Sequence, residues 1–494
     1  MDYVAGIDLG TSSVKVVLMD AAGHIAGSAG SSYSIQMPQS GWAEQNPEDW
    51  WTATKDALKV VMSCSGIHGT QIKGIGFSGQ MHGLVPLDQV GAVVSPAIIW
   101  MDQRSSEEQA YIESIVREDR LDEELLNRPV AGTLVCSLLW MKRNAAEFYQ
   151  RTAHVLLPKD YIRFRLGGTI ETDETDASGS LAFSIRDRQW CDRLLAKLDI
   201  SEDLFPKVVK SWEPVGAVTA GAAAETGLAE GTPLIAGGAD SAMQLTGNGM
   251  VQPGTLVCNI GTGAQLLAVA AEPLYDPQLR TQTFCHSAEK LWYLQSASLN
   301  GGGTLAWLRE QVLGASMDYE EMDRLAATAK AGSEGVMFLP YLTGERVPYL
   351  APTAKGVFFG LTRKHGRPQL IRAVMEGVLF NLRECLSILE DSGVEKNRLL
   401  AAGGGAKGSV WRQIQADMFQ MPVYTAKTPG DAAVGAAIMA AVGIGWYASV
   451  PEAVNAVVRL EDTPVEPIPE NVRIYEEKRA MFKDLYQCCK KWMA

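Results

Sequence analysis

One short pattern occurs twice in this chain, about half its length apart. Asp8-Leu9-Gly10-Thr11-Ser12-Ser13 sits near the start, and Asn259-Ile260-Gly261-Thr262-Gly263-Ala264 opens the second half. Each runs from an acid or amide through an apolar residue to Gly-Thr and two small residues, at the end of an apolar run. That suits a strand ending in a tight turn whose backbone N–H groups approach an anion, because Gly permits φ > 0 and removes the Cβ from the approach path. A repeat at this spacing predicts a duplicated fold with two phosphate-gripping loops facing one cleft. The doubling favours a nucleotide-using enzyme over a single binding module.

Composition narrows the field. The 494 residues are 47% hydrophobic and 20% charged, with mean hydropathy -0.02, which provides apolar mass for two large cores and little case for disorder. A net charge of -13 without a Lys/Arg-rich block opposes binding to nucleic acid or anionic lipid. Eight cysteines without CxxC spacing read as reduced thiols of a cytosolic protein. Six histidines form no HxxxH or Cys/His cluster, which argues against a protein-ligated zinc. The first residues enter a strand-like run, VAGIDLG, with no basic leader, so no signal peptide is expected and the cytoplasm is the expected location. Ala432–Val450 carries no charge and approaches the length of a membrane span. Its Ala/Gly composition and the preceding Thr428-Pro429-Gly430-Asp431 turn predict instead a buried, closely packed helix.

Along the chain, residues 3–8 and 14–20 read as strands around the first Gly-Thr turn. Pro47 opens a helix capped by Asn46, and residues 105–152 are helical in pattern. VSPAIIWMDQR reads as a strand delivering Trp100, Asp102 and Arg104 at its end. The second half repeats the theme, with amphipathic stretches at 304–330 and 368–391 and a strand, Gly-rich turn and helix in LLAAGGGAKGSVWRQIQADMF. Strands alternate with helices and several pair locally, which gives α/β with mixed sheets. The domain boundary is expected near residue 248, at Gly247-Asn248-Gly249.

Three nucleotide or hydrolase signatures fail. Gly74-Ile75-Gly76-Phe77-Ser78-Gly79 spells GxGxxG but leads into Gln-Met-His-Gly rather than a helix. Neither GxxxxGK[ST] nor GxSxG occurs. Any nucleotide must be held by another kind of loop.

The chain resembles the FGGY carbohydrate kinases nearly end to end. DLGTSSVK (8–15), GQMHG (79–83), WMDQR (100–104), GGAD (237–240), NIGTGAQ (259–265), YLTGERVP (341–348), KGVFFGLTRKHG (355–366) and GGGAKGSVWRQIQAD (403–417) recur in that family's order. The resemblance implies two actin-like (ribonuclease-H-like) domains, 1–248 with the sugar site and catalytic base and 249–494 with the ATP site. It also implies Mg-ATP-dependent phosphorylation of a small sugar, D-xylulose at its terminal hydroxyl being the expected substrate. A homodimer would be in keeping with the family, although no interface is readable in the sequence.

Asp240 falls where the family carries its base, and a sugar hydroxyl needs a proton acceptor within about 2.6–3.2 Å. The alternative for this residue is a turn Asp capping the next helix. Asp8 falls where the family organises Mg²⁺, through water, since Mg²⁺ takes few protein carboxylates; otherwise it closes a turn. Gly10, Thr11 and Ser12 would lie at the β- or γ-phosphate, with Lys15 as a phosphate-reaching point charge or an exposed strand residue. Met81 and His82 match ketose-contacting positions, an apolar edge and a directional hydrogen-bonding ring. Asp102 and Arg104 follow as substrate-binding, with simple pairing to each other left open. Trp50 and Trp51 belong to the core. Gly261 and Thr262, with Gly403, Gly404 and Gly405, match the ATP-phosphate and adenosine motifs, a tight strand-helix junction being the other reason for three glycines.

Three positions depart from the family pattern: Ser137 where Lys is usual, Gly-Thr-Gly for Gly-Thr-Ser-Gly in the second turn, and Ser241 where Asn often follows the base. Ser241 lies nearest the sugar and leaves another pentulose, a polyol or a sugar acid open as substrate. GQMHG argues against glycerol kinase, which carries Arg-Glu there. A non-metabolic actin-like ATPase would have no need of the sugar motif.

Overall fold

Two mixed sheets carry the two Gly-Thr turns, and their strands are laid out alike. The computed structural model describes residues 1–315, 317–427 and 430–493. In the first sheet β1 (Tyr3–Leu9), β2 (Ser13–Asp20) and β3 (Ile25–Ser32) form an antiparallel meander. β4 (Ile72–Gly79) pairs parallel to β1, and the order runs β5 (Pro214–Ala217), β6 (Pro233–Ile235), β4, β1, β2, β3, with the two-residue β7 (Gly238–Ala239) also parallel to β4. The second sheet runs β10 (Gln282–Cys285), β11 (Trp292–Ser298), β9 (Ala264–Ala270), β8 (Thr255–Ile260), β12 (Arg398–Gly403), β13 (Val423–Tyr424). Here too the strand before the Gly-Thr turn is antiparallel to its successor and parallel to a later strand. The duplication read from two six-residue motifs is therefore a duplication of sheets.

Helices α1 (Pro47–Ser65), α2 (Pro158–Gly167), α3 (Glu174–Gly179), α4 (Asp240–Gly247), α5 (Gly302–Trp307), α6 (Arg367–Asp391), α7 (Ser409–Phe419) and α8 (Ala432–Gly443) matter most for the site. Asn46 caps α1 by accepting from the Glu48 amide, and Trp50 and Trp51 are buried in the first core. All eight cysteines are free.

The uncharged stretch is a buried helix, α8, which stops at Gly443 and lies on the first sheet although it comes from the second half of the chain. Thr428 and Pro429 of the turn expected before it lie outside the described residues. A Cβ on Gly6 would sit 2.0 Å from the Ala433 carbonyl oxygen, and one on Gly76 2.0 Å from that of Ala436. Gly76 of the GxGxxG look-alike thus admits a helix backbone, while a Cβ on Gly74 would meet the Ile444 side chain at 2.6 Å and one on Gly79 the Lys159 Cβ at 2.9 Å. α8 also crosses α4, where a Cβ on Gly435 would meet the Met243 carbonyl oxygen at 2.0 Å. No helix among the described residues is long and apolar enough to cross a membrane.

Two local expectations change. The strand leading to Trp100 is only Ala97–Ile98, and Trp100–Arg104 follows it outside any strand. The amphipathic stretch 304–330 is broken: a π turn at Leu308–Val312 ends the first piece, and Asp318 caps a new helix, Tyr319–Thr328.

Candidate active site

Strands β1, β4 and β7 end side by side, with Asp8 opposite Ser78 and Gly238 opposite the same Ser78. Their carboxyl ends therefore present Asp8 and, one residue beyond β7, Asp240 on one edge of the sheet, the edge where parallel strands ordinarily receive ligands. Asp8 accepts from the Ser78 hydroxyl at 2.7 Å. Its carboxyl is pushed up to about 6, mainly by burial, with the Asp431 charge adding to the rise and Ser78 and Lys15 opposing it.

Asp240 is the first residue of α4 and follows Gly237, whose φ is 73° and whose Cβ would lie 2.0 Å from the Phe77 carbonyl oxygen. Only glycine fits that approach, and it brings the Asp240 carboxylate onto the edge. Burial first and the Asp8 charge second push this carboxyl up to about 7, while hydrogen bonds from Ser241, including its hydroxyl at 3.3 Å, act the other way. Two half-buried, mutually repelling carboxylates have a donor set that a hard cation would relieve. Mg²⁺ fits here as a partner of one or two carboxylates and phosphate oxygens; no cluster of three or more His, Cys, Asp or Glu side chains arranged for a metal occurs among the described residues.

The first Gly-Thr turn is braced from several sides. Gly10 donates to the Ser13 carbonyl at 3.0 Å, and the Tyr33 hydroxyl donates to the Gly10 carbonyl. Gln45 holds the Thr11 carbonyl at 2.8 Å, and the Trp100 indole N–H donates to the Thr11 hydroxyl at 3.0 Å. Ser12 is exposed. Lys15 stands opposite Asp8 on β2, but its ammonium pairs with Asp431, the residue that caps α8. It is neither a solitary surface lysine nor free for a phosphate without giving up that partner.

After β4 the chain turns through Met81, buried, and His82, half-buried with φ 73°. His82 Nδ1 lies 2.6 Å from the Gly179 carbonyl oxygen, which can only accept. Nδ1 therefore carries the proton, burial keeps the ring neutral by lowering its pKa, and Nε2 is left as an acceptor.

Asp102 and Arg104, expected at the substrate, are paired with each other in this structure. The Arg104 side chain is 3% exposed, its Nε and Nη2 spent on Asp102 and its Nη1 on Glu44 at 2.7 Å, and it packs against Trp42 and Trp140, whose own rings meet edge to face. Asp102 is fully buried and also accepts from the Ala43 amide at 2.6 Å. Their polar atoms are occupied by one another, which is the pairing left open above. The neighbour that does face outward is Trp100, 42% exposed and fixed to the first Gly-Thr turn.

In the second turn Gly261 and Thr262 are exposed, and their carbonyls accept from the amides of Gly301, Gly302 and Gly303 at 2.6–3.1 Å. That glycine run is held in turn by Glu345, a buried carboxylate of YLTGERVP that accepts from Ser298, Leu299, Asn300, Arg346 and Asn381. Sequence reading missed Glu345 because its donors are scattered over 80 residues. Gly403 has φ 71°, and Gly403 and Gly405 press on Ile260 so that a Cβ would meet it within 2.7 Å. A Cβ on Gly404 would approach only the Ile260 carbonyl oxygen, at 3.6 Å. The tight junction thus accounts for two of the three glycines, and Gly404 is the one with an open face.

The sequence matches the FGGY family of carbohydrate kinases, N-terminal domain, over residues 3–247 and the C-terminal domain over 256–444. The chain belongs to this family of sugar kinases, whose phosphoryl donor is ATP. It is similar to the xylulose kinase of Bacillus subtilis (strain 168), 35% identical over 490 residues covering 98% of this chain and 97% of that protein. Among solved structures it is similar to a ligand-bound xylulose kinase from Lactobacillus acidophilus, with TM-score 0.92 and 26% identity over 99% of both chains. A gluconate kinase from the same organism gives 0.91 and 26%, covering 99% of this chain and 98% of that one. The fold alone therefore does not separate a ketose from a sugar acid.

Proposed function

We propose that the chain phosphorylates D-xylulose at its terminal hydroxyl, giving D-xylulose 5-phosphate and ADP, with Asp240 as proton acceptor. The observation that carries this reading is the Asp240 carboxyl at the mouth of β7, raised to about 7, where a base is half-ionised near neutral pH and strong enough to take a hydroxyl proton. The sugar oxygen forms its bond to the γ-phosphorus as the bond to the β,γ-bridging oxygen breaks, and the hydroxyl proton passes to Asp240. Little covalent work falls to the protein, so positioning and electrostatics dominate.

The remaining side chains divide by location. Met81 and His82 hold the sugar, His82 accepting a hydroxyl hydrogen at Nε2. Gly10, Thr11 and Ser12 face Gly261 and Thr262 across the triphosphate, and Gly404 with its two neighbours receives the adenosine. Mg²⁺ brought in with ATP would neutralise phosphate charge, held at Asp8 through water. Lys15 would leave Asp431 for a phosphate. Residues 1–248 supply the sugar side and 249–494 the nucleotide side, except that α8 serves the first sheet.

The substrate rests on the full-length likeness to xylulose kinases; the gluconate kinase of equal fold similarity supports a sugar acid as the second reading. The test is ADP release with Mg-ATP across D-xylulose, D- and L-ribulose, L-xylulose, D-fructose, glycerol, xylitol and gluconate, with Asp240→Ala alongside. Preference for D-xylulose that disappears in the variant is expected. A preference for gluconate would move the substrate and keep the chemistry; silence on every sugar with ATP still bound would overturn the reading.

A further inference from the structure

Both the Asp240 loop and His82 rest on one buried segment, Asp173–Ser180, that the sequence motifs do not include. Asp173 Oδ2 accepts from the Thr175 amide at 2.9 Å, the Thr175 hydroxyl at 2.6 Å and the Ser211 hydroxyl at 2.9 Å. Having donated its hydrogen to Asp173, the Thr175 hydroxyl accepts from the Ala239 amide at 2.8 Å. Ala239 is the residue before Asp240. At the other end of the segment the Gly179 carbonyl accepts a hydrogen bond from His82 Nδ1, and a Cβ on Gly179 would come within 3.1 Å of Met81 and 3.2 Å of that nitrogen.

Behind Asp173 stands Lys159, wholly buried, its ammonium 3.1 Å from Asp173, 2.6 Å from Asp160 and 3.1 Å from Asp176. Arg163, also wholly buried, takes the same Asp160 at 2.8 Å. Burial holds the Asp176 carboxyl well above the usual carboxylate range, so it keeps its proton and leaves two cations against two anions. Taking such charges out of water is costly, and well-packed apolar residues would support a fold at least as well. What the charges add is direction. Lys159 orients Asp173, Asp173 fixes the Thr175 hydroxyl as an acceptor, and that acceptor pins the amide adjoining Asp240.

We propose that Thr175, oriented by Asp173 and Lys159, is a positioning residue for phosphoryl transfer: it sets the Asp240 carboxylate in register with the sugar held at His82. This rests on Asp240 being the base. The test is steady-state kinetics and thermal unfolding of full-length Thr175→Val, Thr175→Ser and Asp240→Ala. Valine keeps the shape of threonine and removes the acceptor, so kcat should fall about 10²-fold, the cost of a misplacement of roughly 1 Å. KM for ATP should hold, and Thr175→Ser should restore kcat. If valine does not give folded protein, Thr175→Ala is read by the same criteria. Full kcat without the hydroxyl, a serine variant as impaired as the valine one, or a loss confined to KM for ATP would each overturn the role. Activity surviving Asp240→Ala would instead overturn the base assignment itself.

Discussion

Replacing Asp240 by Asn should make the ligand-free enzyme more stable while removing its activity. The folded state holds this carboxyl at about 7 against a reference of 3.8, so ionisation opposes folding. A carboxyl raised in the folded state contributes fully below the unfolded pKa, and that contribution is lost as pH rises through the folded value. The window therefore opens near pH 4 and closes near pH 7. At 1.36 kcal/mol per tenfold step the shift corresponds to about 4 kcal/mol. Solvent at the cleft face screens part of it and Asp8 relaxes when its neighbour is neutral, so about 2 kcal/mol is the working figure. At roughly 2–4 °C per kcal/mol for domains of this size, Asp240→Asn should melt about 4–8 °C above the wild type at pH 8. The gap should shrink steadily as the pH is lowered to 5, where the wild-type carboxyl is largely protonated in the folded state. Thermal unfolding of both proteins without ligand, followed from pH 5 to 8.5, measures it, and turnover should drop by about 10²–10⁴ in the same variant. A variant less stable than wild type at pH 8, or an offset independent of pH, would refute the account of Asp240 as a carboxylate destabilised by burial and by Asp8.

The same elevated carboxyl predicts that kcat/KM for the sugar falls as pH drops through about 7; a profile flat to pH 5 would exclude Asp240 as the titrating base. Asp102→Ala should cost about 1–3 kcal/mol by leaving Arg104 Nε and Nη2 without an acceptor while Glu44 still holds Nη1, yet leave KM for the sugar unchanged in folded protein; a raised sugar KM with undiminished Tm would return the pair to the substrate. Gly435→Ala places a Cβ 2.0 Å from the Met243 carbonyl oxygen and should lower stability by roughly 1–3 kcal/mol or more by forcing α4 and α8 apart. Unchanged thermal unfolding would mean that the crossing has slack. Water competes with sugar for the phosphoryl group, so the cleft should close only with both ligands. Small-angle scattering should then report a more compact molecule, and superimposable curves would contradict closure.

How much of this was legible in the sequence depends on whether a residue's constraint is local. The Gly-Thr turns announce themselves because a backbone that must approach another group closely needs glycine at fixed spacing, and Asp8 and Asp240 could be located through their neighbours in the chain. Asn46 and Pro47 signal α1 for the same reason. The pairing of Asp102 with Arg104 was visible as an option, two residues apart, but its burial against Trp42 and Trp140 was not. Lys15 reads as either a phosphate-reaching or an exposed strand residue, and its partner, Asp431, lies 416 residues away where no local pattern shows it. Glycine is the instructive ambiguity. Gly76 and Gly403 have the same chemistry, no Cβ, and the sequence does not say whether the space admits a ligand or a neighbouring backbone. Here Gly76 admits α8 and Gly403 the end of β8, while Gly404 alone of its run keeps an open face. The buried charges around Lys159 are the opposite case: Asp160, Asp173 and Asp176 spell a solvated surface in any reading by composition. Only the fold shows that they are inside, Lys159 and Asp173 standing behind the Thr175 hydroxyl that holds the amide next to Asp240.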